Sequence, residues 1–270
     1  MDDSVASRTT KAATAARMYD YYLGGIHNFP ADQAAARTII EHFPFIQAVA
    51  RANRAFVVRS VRELAKAGVK QYLDIGAGIP TVDNVHSIVQ DLHDDAKVVY
   101  VDIDPVAVAE GLEMLEGNPR ATSVRGDVRE PEAILAHPEV RRMLDFGQPI
   151  ALLLAAVLHF VADHEQADAV AAALIAALPA GSYVVVSHTA TESFRLTDEE
   201  RAVTEDVYQR RTSTPGTVRT RAEVERLFAG LELLPPGVVS ARDWHPDPDA
   251  PADETGLPGG GIWVGVAKKD

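Results

Sequence analysis

Acidic residues stand at the ends of three short apolar segments, where a ligand site is expected if the segments are neighbouring strands. Asp74 ends QYLD, Asp102 ends VVYVD, and Asp127 follows SVRG. In an open α/β sheet, ligands bind at the carboxyl ends of the strands. Acids at three successive strand ends would line one negatively charged pocket, which suits a cationic ligand. Taken alone, Asp127 is also compatible with a solvated loop acid.

Two glycines follow Asp74 in a D-x-G-x-G pattern. Gly76 and Gly78 let the backbone turn tightly and approach a ligand without a Cβ in the way. A nicotinamide fingerprint would require a third glycine where Thr81 stands, and an acid as close as Asp74 would repel a pyrophosphate. The pattern therefore favours a ligand that carries positive charge. The alternative is a tight turn whose acid caps the next helix.

Asp102 has the spacing of a residue that binds a ribose. It lies 24 residues beyond Gly78, close to the interval of about 20 in dinucleotide-binding units. Its carboxylate could accept both hydroxyl protons of the ribose diol, and the alternative is an ordinary turn acid. Asp104 precedes Pro105, which is typical of a helix N-cap.

Two histidines are candidates for a general base, His159 in VLHFV and His188 in VVVSHTA. Imidazole titrates near neutral pH and can accept a proton from a substrate. We expect His188 to face the crevice at the strand ends; for both residues a role in the core is the alternative. His245 begins a polar stretch at 245–261 whose prolines and glycines predict a loop. No histidines have convincing metal-ligand spacing, and no metal is expected.

The segments that position these residues alternate between strand-like and helix-like patterns. This alternation predicts a doubly wound, mostly parallel α/β sheet in a single domain over residues 1–270, with a ligand-binding core at 70–190. The apolar runs are QYLDI at 71–75, VVYV at 98–101, ATSV at 121–124, IALLLAAVL at 150–158 and YVVVS at 183–187. Caps and stops mark the helices that begin at Asp104 and Asp163 and the helix over 45–67 that stops at Gly68.

Three regions lie outside this alternation. Residues 1–45 are expected to form a helical cap, and residues 190–230 a helical insertion with helices at 198–211 and 221–228. Residues 231–270 are expected to form a β-hairpin with a long loop, its strands at Leu231–Val239 and Gly261–Ala267. The insertion is rich in arginine, which we interpret as a solvated helix face paired with Glu199, Glu200 and Glu205. These arginines are Arg195, Arg210, Arg211, Arg219 and Arg221.

Composition narrows the class of protein. The chain has 270 residues, 26 basic and 39 acidic, for a net charge of −13, and no cysteine. A net acidic chain is a poor match for non-specific nucleic-acid binding, and the lack of cysteine excludes disulfides and thiolate chemistry. The polar N-terminus is unlike a signal peptide, and the longest apolar runs are too short to span a bilayer. We expect a cytoplasmic protein without nucleic-acid or membrane partners; monomer and homodimer both stay open.

The motifs together resemble a known family. DIGAG, YVDIDP and RGDVRE, in this order, resemble the class I S-adenosylmethionine-dependent methyltransferases. More narrowly, four segments are similar to the actinobacterial S-adenosyl methyltransferase family that was first catalogued as a domain of unknown function. They are RMYDYYLGGIHNFPAD at 17–32, RANRAFVVRSVREL at 51–64, ILAHPEVRRMLDF at 134–146 and LLLAAVLHFV at 152–161. The resemblance covers residues 15–268.

The resemblance implies a fold and a set of residue roles. It implies a Rossmann-like sheet of seven strands in the order 3-2-1-4-5-7-6, the last antiparallel, and S-adenosyl-L-methionine as cofactor. Its implied cofactor contacts run along the strand ends: Asp74, Gly76 and Gly78 at the methionine end, Asp102 at the ribose, Ile103, Asp127 and Val128 at the adenine, and Ala155–Leu158 along the methyl channel.

The N-terminal helix is also implied to close over the cofactor. Tyr19, Tyr22 and Arg17 are then candidates to contact the cofactor's carboxylate or the substrate, and packing of the tyrosines on the sheet is the alternative. His159, Tyr22 and His188 are the candidate catalytic residues. The function implied is methyl transfer to a small-molecule acceptor. A non-catalytic module that binds S-adenosylmethionine or S-adenosylhomocysteine, and an NAD(P)-dependent oxidoreductase, are the alternatives.

Overall fold

The computed structural model describes residues 12–79, 84–190, 206, 216–247 and 261–270. In this part of the chain, one mixed sheet carries strands that are, in chain order, β1 Gln71–Ile75, β2 Lys97–Asp102, β3 Ala121–Arg125, β4 Ala151–Ala155, β5 Tyr183–Thr189, β6 Glu232–Leu233, β7 Val239–Ser240 and β8 Ile262–Lys268.

The strand order is β3-β2-β1-β4-β5-β8-β6, and β7 also pairs with β8. Strands β1 to β5 pair in parallel, and β8 is antiparallel to β5. The predicted order 3-2-1-4-5-7-6 is confirmed, with the sixth predicted strand divided into β6 and β7. The carboxyl ends of β1, β2, β3 and β4 therefore lie at the same end of the sheet.

The predicted strand at 150–158 is shorter than expected. Strand β4 ends at Ala155, and a 3-10 turn follows at Leu158–Phe160. Between them Ala156 adopts φ +53°, and its N–H donates to the Ser187 carbonyl at 3.0 Å. A left-handed backbone conformation interrupts an extended strand, although every residue of the run is apolar.

The helices of the described ranges lie between and outside the strands. They are α1 Ala15–Tyr22, α2 Pro30–His42, α3 Ile46–Lys66, α4 Val85–Leu92, α5 Pro105–Met114, α6 Pro131–Ala136, α7 Pro138–Met143, α8 His164–Ala177 and α9 Arg221–Arg226. Asp104 caps α5 through the Val106 N–H, and Asp163 caps α8 through the Gln166 N–H. Both caps and the stop of α3 before Gly68 are as predicted.

The regions outside the alternation are partly described. Helices α1 and α2 lie within the predicted cap, and α9 corresponds to the helix predicted at 221–228. The helix predicted at 198–211 and most of the loop at 245–261 lie outside the described residues. His245 itself is not in a free loop, because its ring stacks on buried Trp244 and its Nδ1 lies 2.7 Å from Glu63.

Two hydrophobic layers cover the sheet. Alternate side chains of β4 face opposite ways: Leu153 belongs to the layer under α3, and Leu152 and Leu154 to the layer under α8. Parallel strands buried on both faces are expected to read as continuous apolar runs, and these do. Among the described residues, no helix combines the length and hydropathy that a membrane crossing needs.

Candidate functional site

A cavity of about 470 Å³ opens at the carboxyl ends of β1 to β4. Its walls come from the turns after these strands on one side and from α1, α3 and the turn that carries His159 on the other. This is the crevice where open α/β sheets bind ligands, and its volume lies within the range of small-molecule sites.

The turn after β1 is shaped by its two glycines. Gly76 has φ +75° and Gly78 has φ +67°. A Cβ on Gly76 would collide with the side chain of Val157, so no larger residue fits there. The Gly78 N–H donates to Asp102 Oδ2 at 2.8 Å, which joins the glycine turn to the end of β2.

Asp102 is held rigidly at the cavity. Its Oδ1 accepts the Asp104 N–H at 2.8 Å, while its Oδ2 accepts that of Gly78. Burial raises the pKa of Asp102 to about 6, although these backbone N–H groups oppose the shift. The carboxylate is therefore preorganised, with its remaining lone pairs available to a hydroxyl donor.

Asp74 is the second buried carboxyl group. Burial raises the pKa of Asp74 to about 7; Arg54 opposes the shift and Asp102 adds to it. Arg54 lies on α3 and lines the same cavity. Arg54 was not predicted as a site residue, because nothing in its local sequence reveals that its side chain reaches the cavity beside Asp74.

Asp127 lies at the end of β3, where its carboxylate is bound by a neighbour. Its Oδ1 accepts both the backbone N–H and the Nε–H of Arg129, each at 2.9 Å. The Arg129 guanidinium lowers the pKa of Asp127. Ile103, Val128 and Ala155 line the cavity around these acids. The structure thus brings the predicted strand-end residues to one cavity.

Helix α1 places two tyrosines, but not its arginine, at the cavity. Tyr19 and Tyr22 line it. The Tyr19 hydroxyl donates to the Ala50 carbonyl at 2.9 Å and accepts a hydrogen bond from Asn53 Nδ2 at 3.0 Å. Burial raises the pKa of Tyr19.

The expectation that Arg17 contacts a cofactor carboxylate is not supported by its position. Arg17 is 2% exposed. Its Nε donates to Asp32 at 2.9 Å and its Nη1 to Asp104 at 2.8 Å. The guanidinium is hydrogen-bonded to these two carboxylates. Arg17 therefore joins α1 to α2 and to the N-cap of α5, and it does not line the cavity.

His159 lines the same cavity as Asp102, but it follows β4, whereas Asp102 ends β2 on the other side of β1. Its Nδ1 is 3.2 Å from Thr189 Oγ1, and its ring contacts that of Phe160 edge-on at 4.2 Å. Burial first, then His188 and Arg219, lower the pKa of His159 well below its ordinary value. The imidazole is therefore in its neutral, proton-accepting form near pH 7, although the same shift makes it a weaker base than an exposed histidine.

His188 does not face the crevice, and this expectation is wrong. The residue is fully buried in β5, and its Nε2 is 2.6 Å from Nη1 of Arg219. Burial lowers the pKa of His188 to about 3. Alternation along β5 directs His188 to the face away from the cavity, while the next residue, Thr189, lines it.

The interpretation of the insertion's arginines as a solvated face is also wrong for Arg219. Arg219 is 1% exposed, whereas Arg221 is exposed and pairs with Glu225 on α9. Arg195, Arg210 and Arg211 lie outside the described residues.

The residues around the cavity fit S-adenosylmethionine. The buried carboxyl groups suit the ammonium and sulfonium charges of this molecule, and the glycine turn leaves room for close backbone approach. Apolar Ile103 and Val128 line the same cavity as Asp127. Asp102 is fixed by two N–H donors in a position to accept from a diol.

Comparisons with known proteins agree with this chemistry. The family model described as S-adenosyl methyltransferase matches residues 3–270. No curated protein sequence matches the chain significantly. A solved structure of a candidate methyltransferase from Thermobifida fusca YX is 38% identical, covers 98% of this chain and 97% of its own, and has a TM-score of 0.88.

Two other solved structures are similar to the chain. A DUF574 family protein from Streptomyces avermitilis MA-4680 is 38% identical, with a TM-score of 0.88, and covers 97% of this chain and 99% of its own. An O-methyltransferase family protein from Burkholderia thailandensis shares the fold alone, at 13% identity and a TM-score of 0.52, covering 87% and 62%. The family match confirms the resemblance stated from the motifs.

Proposed function

The chain belongs to the S-adenosyl methyltransferase family, and from this premise we propose that it transfers a methyl group from S-adenosylmethionine to an apolar small molecule. The observation that carries the proposal is one cavity lined both by buried carboxyl groups after β1 and β2 and by a neutral histidine after β4.

At the cofactor end, each strand-end residue has a distinct role in the proposal. Asp74 and the turn at Gly76 and Gly78 bind the methionine portion, and Asp102 accepts the ribose hydroxyls. Beside them, Ile103, Asp127 and Val128 border the adenine, and Ala155 lies beside the path to the acceptor. The support is their common position at the cavity and the fixed orientation of Asp102.

At the acceptor end, the described walls are mostly apolar. Thr189 pairs with Ile262 across β5 and β8, and its hydroxyl meets His159, whose ring packs on Phe160. Val49, Phe160 and Ile262 line the cavity with apolar side chains. Such walls favour an apolar, aromatic or alicyclic group that presents a hydroxyl or amine to His159.

The bound cofactor supplies an electrophilic methyl group on a sulfonium. The chain's residues would position the acceptor, exclude water and accept its proton. Positioning and exclusion of water account for much of the rate in such displacements. In the part of the chain that the structure describes, His159 Nε2 makes no hydrogen bond. It is therefore the atom proposed to accept the proton when the nucleophile carries one.

Isothermal titration with S-adenosylmethionine, S-adenosylhomocysteine and NADH tests the proposal. Both adenosyl ligands should saturate one site and NADH should not bind. Asp102→Asn should weaken adenosyl binding by about 1.5–3 kcal/mol, the value of a hydrogen bond to a charged group. Asp94→Asn, an exposed acid before the other end of β2, is the matched control and should bind as the parent does.

Two outcomes would count against the proposal. Binding of NADH alone would favour the oxidoreductase alternative. Adenosyl binding without methyl transfer to any member of a panel of phenols and amines would favour the non-catalytic module.

A further inference from the structure

Arg219 is a buried cation beside the turn that carries His159. Its Nη1 donates to the Leu158 carbonyl at 3.0 Å, and its Nη2 donates to the Val161 carbonyl at 2.9 Å. A weaker contact at 3.5 Å reaches the Asp163 carbonyl. One guanidinium therefore holds the backbone on both sides of His159.

The backbone beside Arg219 strengthens this hold. The Thr217 N–H donates to the His159 carbonyl at 2.7 Å, and the Arg219 N–H donates to the Thr189 carbonyl at 3.2 Å. The segment 217–219 thus binds both residues whose side chains meet at the acceptor end of the cavity.

A second route from Arg219 to His159 runs through His188. Arginine can only donate, so the contact with Arg219 Nη1 makes His188 Nε2 an acceptor and leaves the ring proton on Nδ1. That N–H donates to the Thr189 carbonyl at 2.9 Å. Thr189 is therefore fixed through its carbonyl, and its hydroxyl meets His159 Nδ1.

Among the residues that the structure describes, the charged groups that act on Arg219 come from α8, its N-cap and α9. Asp163 and Asp168 approach Arg219 from the start of α8 and from α8, and Glu223 and Arg226 approach it from α9. His164 also faces His188. Burial lowers the pKa of Arg219, and the three acids oppose that shift. The guanidinium stays charged near pH 7, beside two neutral imidazoles.

We propose that Arg219 is a positioning residue for His159: it fixes the Leu158–Asp163 turn and, through His188 and Thr189, the ring state in which His159 Nδ1 donates to Thr189 and Nε2 accepts. This inference rests on the proposed function, since it assigns His159 the proton-accepting role. A residue that served only the fold would hold the turn without controlling the ring of His159.

Nitrogen-15 NMR of the histidine rings tests the proposal directly, without knowledge of the acceptor. The full-length protein is compared with Arg219→Lys, which keeps the charge but loses the planar set of donors. His159→Gln and His188→Gln assign the signals. Spectra are recorded near pH 7 with and without S-adenosylhomocysteine.

The parent should show His159 and His188 each as one neutral Nδ1–H tautomer. Arg219→Lys should give mixed tautomers at His159, while the affinity for S-adenosylhomocysteine stays within about twofold. Arg221→Lys, an exposed neighbour on α9, is the matched control and should leave both signals unchanged.

Thr189→Val provides a second variant in case Arg219→Lys does not fold. It removes the hydroxyl but keeps the shape of the side chain, and it should also abolish the single tautomer at His159. An unchanged His159 signal in either folded variant would overturn the proposal. If the parent bound no S-adenosylhomocysteine, the proposed function would fail, yet the ligand-free spectra would still decide the role of Arg219.

Discussion

At the scale of single residues, burial makes Asp74 and Asp102 weaker acids than exposed carboxyl groups. A buried carboxylate loses hydration, and a nearby like charge adds to the cost of ionisation. The pKa of Asp74 is raised to about 7 and that of Asp102 to about 6. A ligand that brings positive charge into the cavity would favour the ionised forms, so binding and deprotonation should be coupled.

The affinity for S-adenosylhomocysteine should therefore increase with pH. Its ammonium group favours ionised Asp74, and below pH 7 the free protein must first release that proton. Between about pH 6 and pH 8 we expect a rise of up to roughly tenfold, since one pKa unit corresponds to a factor of ten. Titration calorimetry in two buffers of different ionisation enthalpy measures both the affinity and the proton released.

Asp74→Asn should bind more weakly and lose the part of this dependence that lies around pH 7, whereas Asp94→Asn should keep it. A flat profile for the parent, or tighter binding at the acid end, would contradict the role of Asp74.

At the scale of elements, a buried ionic network joins the N-terminal helices to the cofactor end of the cavity. Arg17 on α1 pairs with Asp32 on α2 and with Asp104, the N-cap of α5. Thr14 donates to Asp104 at 2.6 Å through its hydroxyl. Because Asp104 also donates its N–H to Asp102, docking of α1 and the orientation of Asp102 share one residue.

Arg17→Met should destabilise the protein by about 3–5 kcal/mol, because it leaves two buried carboxylates without their cation. It should also weaken S-adenosylhomocysteine binding through Asp104 and Asp102. Urea unfolding gives the first quantity and calorimetry the second. Arg142→Met, which breaks an exposed pair with Glu139, should lower the free energy of unfolding far less, because exposed ion pairs contribute little to stability. Equal losses in the free energy of unfolding for Arg17→Met and Arg142→Met would contradict a stabilising role of the buried network.

Local signals account for the elements that sequence analysis predicted. Asp104, Asp163 and Gly68 mark helix ends through contacts with their own neighbours, and the apolar runs mark the parallel strands. Arg17 meets Asp104 across 87 positions and Arg219 meets His188 across 31. Such pairs depend on how elements pack, so no short motif reveals them. The early end of β4 at Ala155 has no signature either, because alanine is not a typical turn residue.

At the scale of the whole molecule, β8 completes the sheet by pairing with β5, β6 and β7. Its pairing partner β5 carries His188, whose side chain is fully buried. The state of this one imidazole therefore bears on the stability of the entire domain.

Acid should destabilise the protein through His188. The pKa of His188 in the folded protein is about 3, below the value of about 6.5 in an unfolded chain. Above pH 6.5 the stabilisation is fully present. As the pH falls, the unfolded chain binds a proton that the folded protein does not, so about 1.4 kcal/mol is lost per pH unit until the pH approaches 3.

His188→Gln should therefore make the free energy of unfolding less dependent on pH, by about 1.4 kcal/mol per unit below pH 6.5. Urea unfolding at several values between about pH 7 and pH 5 measures this slope.

Asp74, with its raised pKa, contributes to the pH dependence of stability in the opposite sense, since its stabilisation is lost as the pH rises towards 7. It does so equally in the parent and in His188→Gln. Ser187→Ala, a buried and non-titrating neighbour on β5, controls for the cost of substitution itself: it can shift the whole curve but not its slope. If the free energy of unfolding of the parent and of His188→Gln changed with pH at the same rate, His188 would bind its proton equally in the folded and unfolded chains. The fold would then not hold His188 neutral.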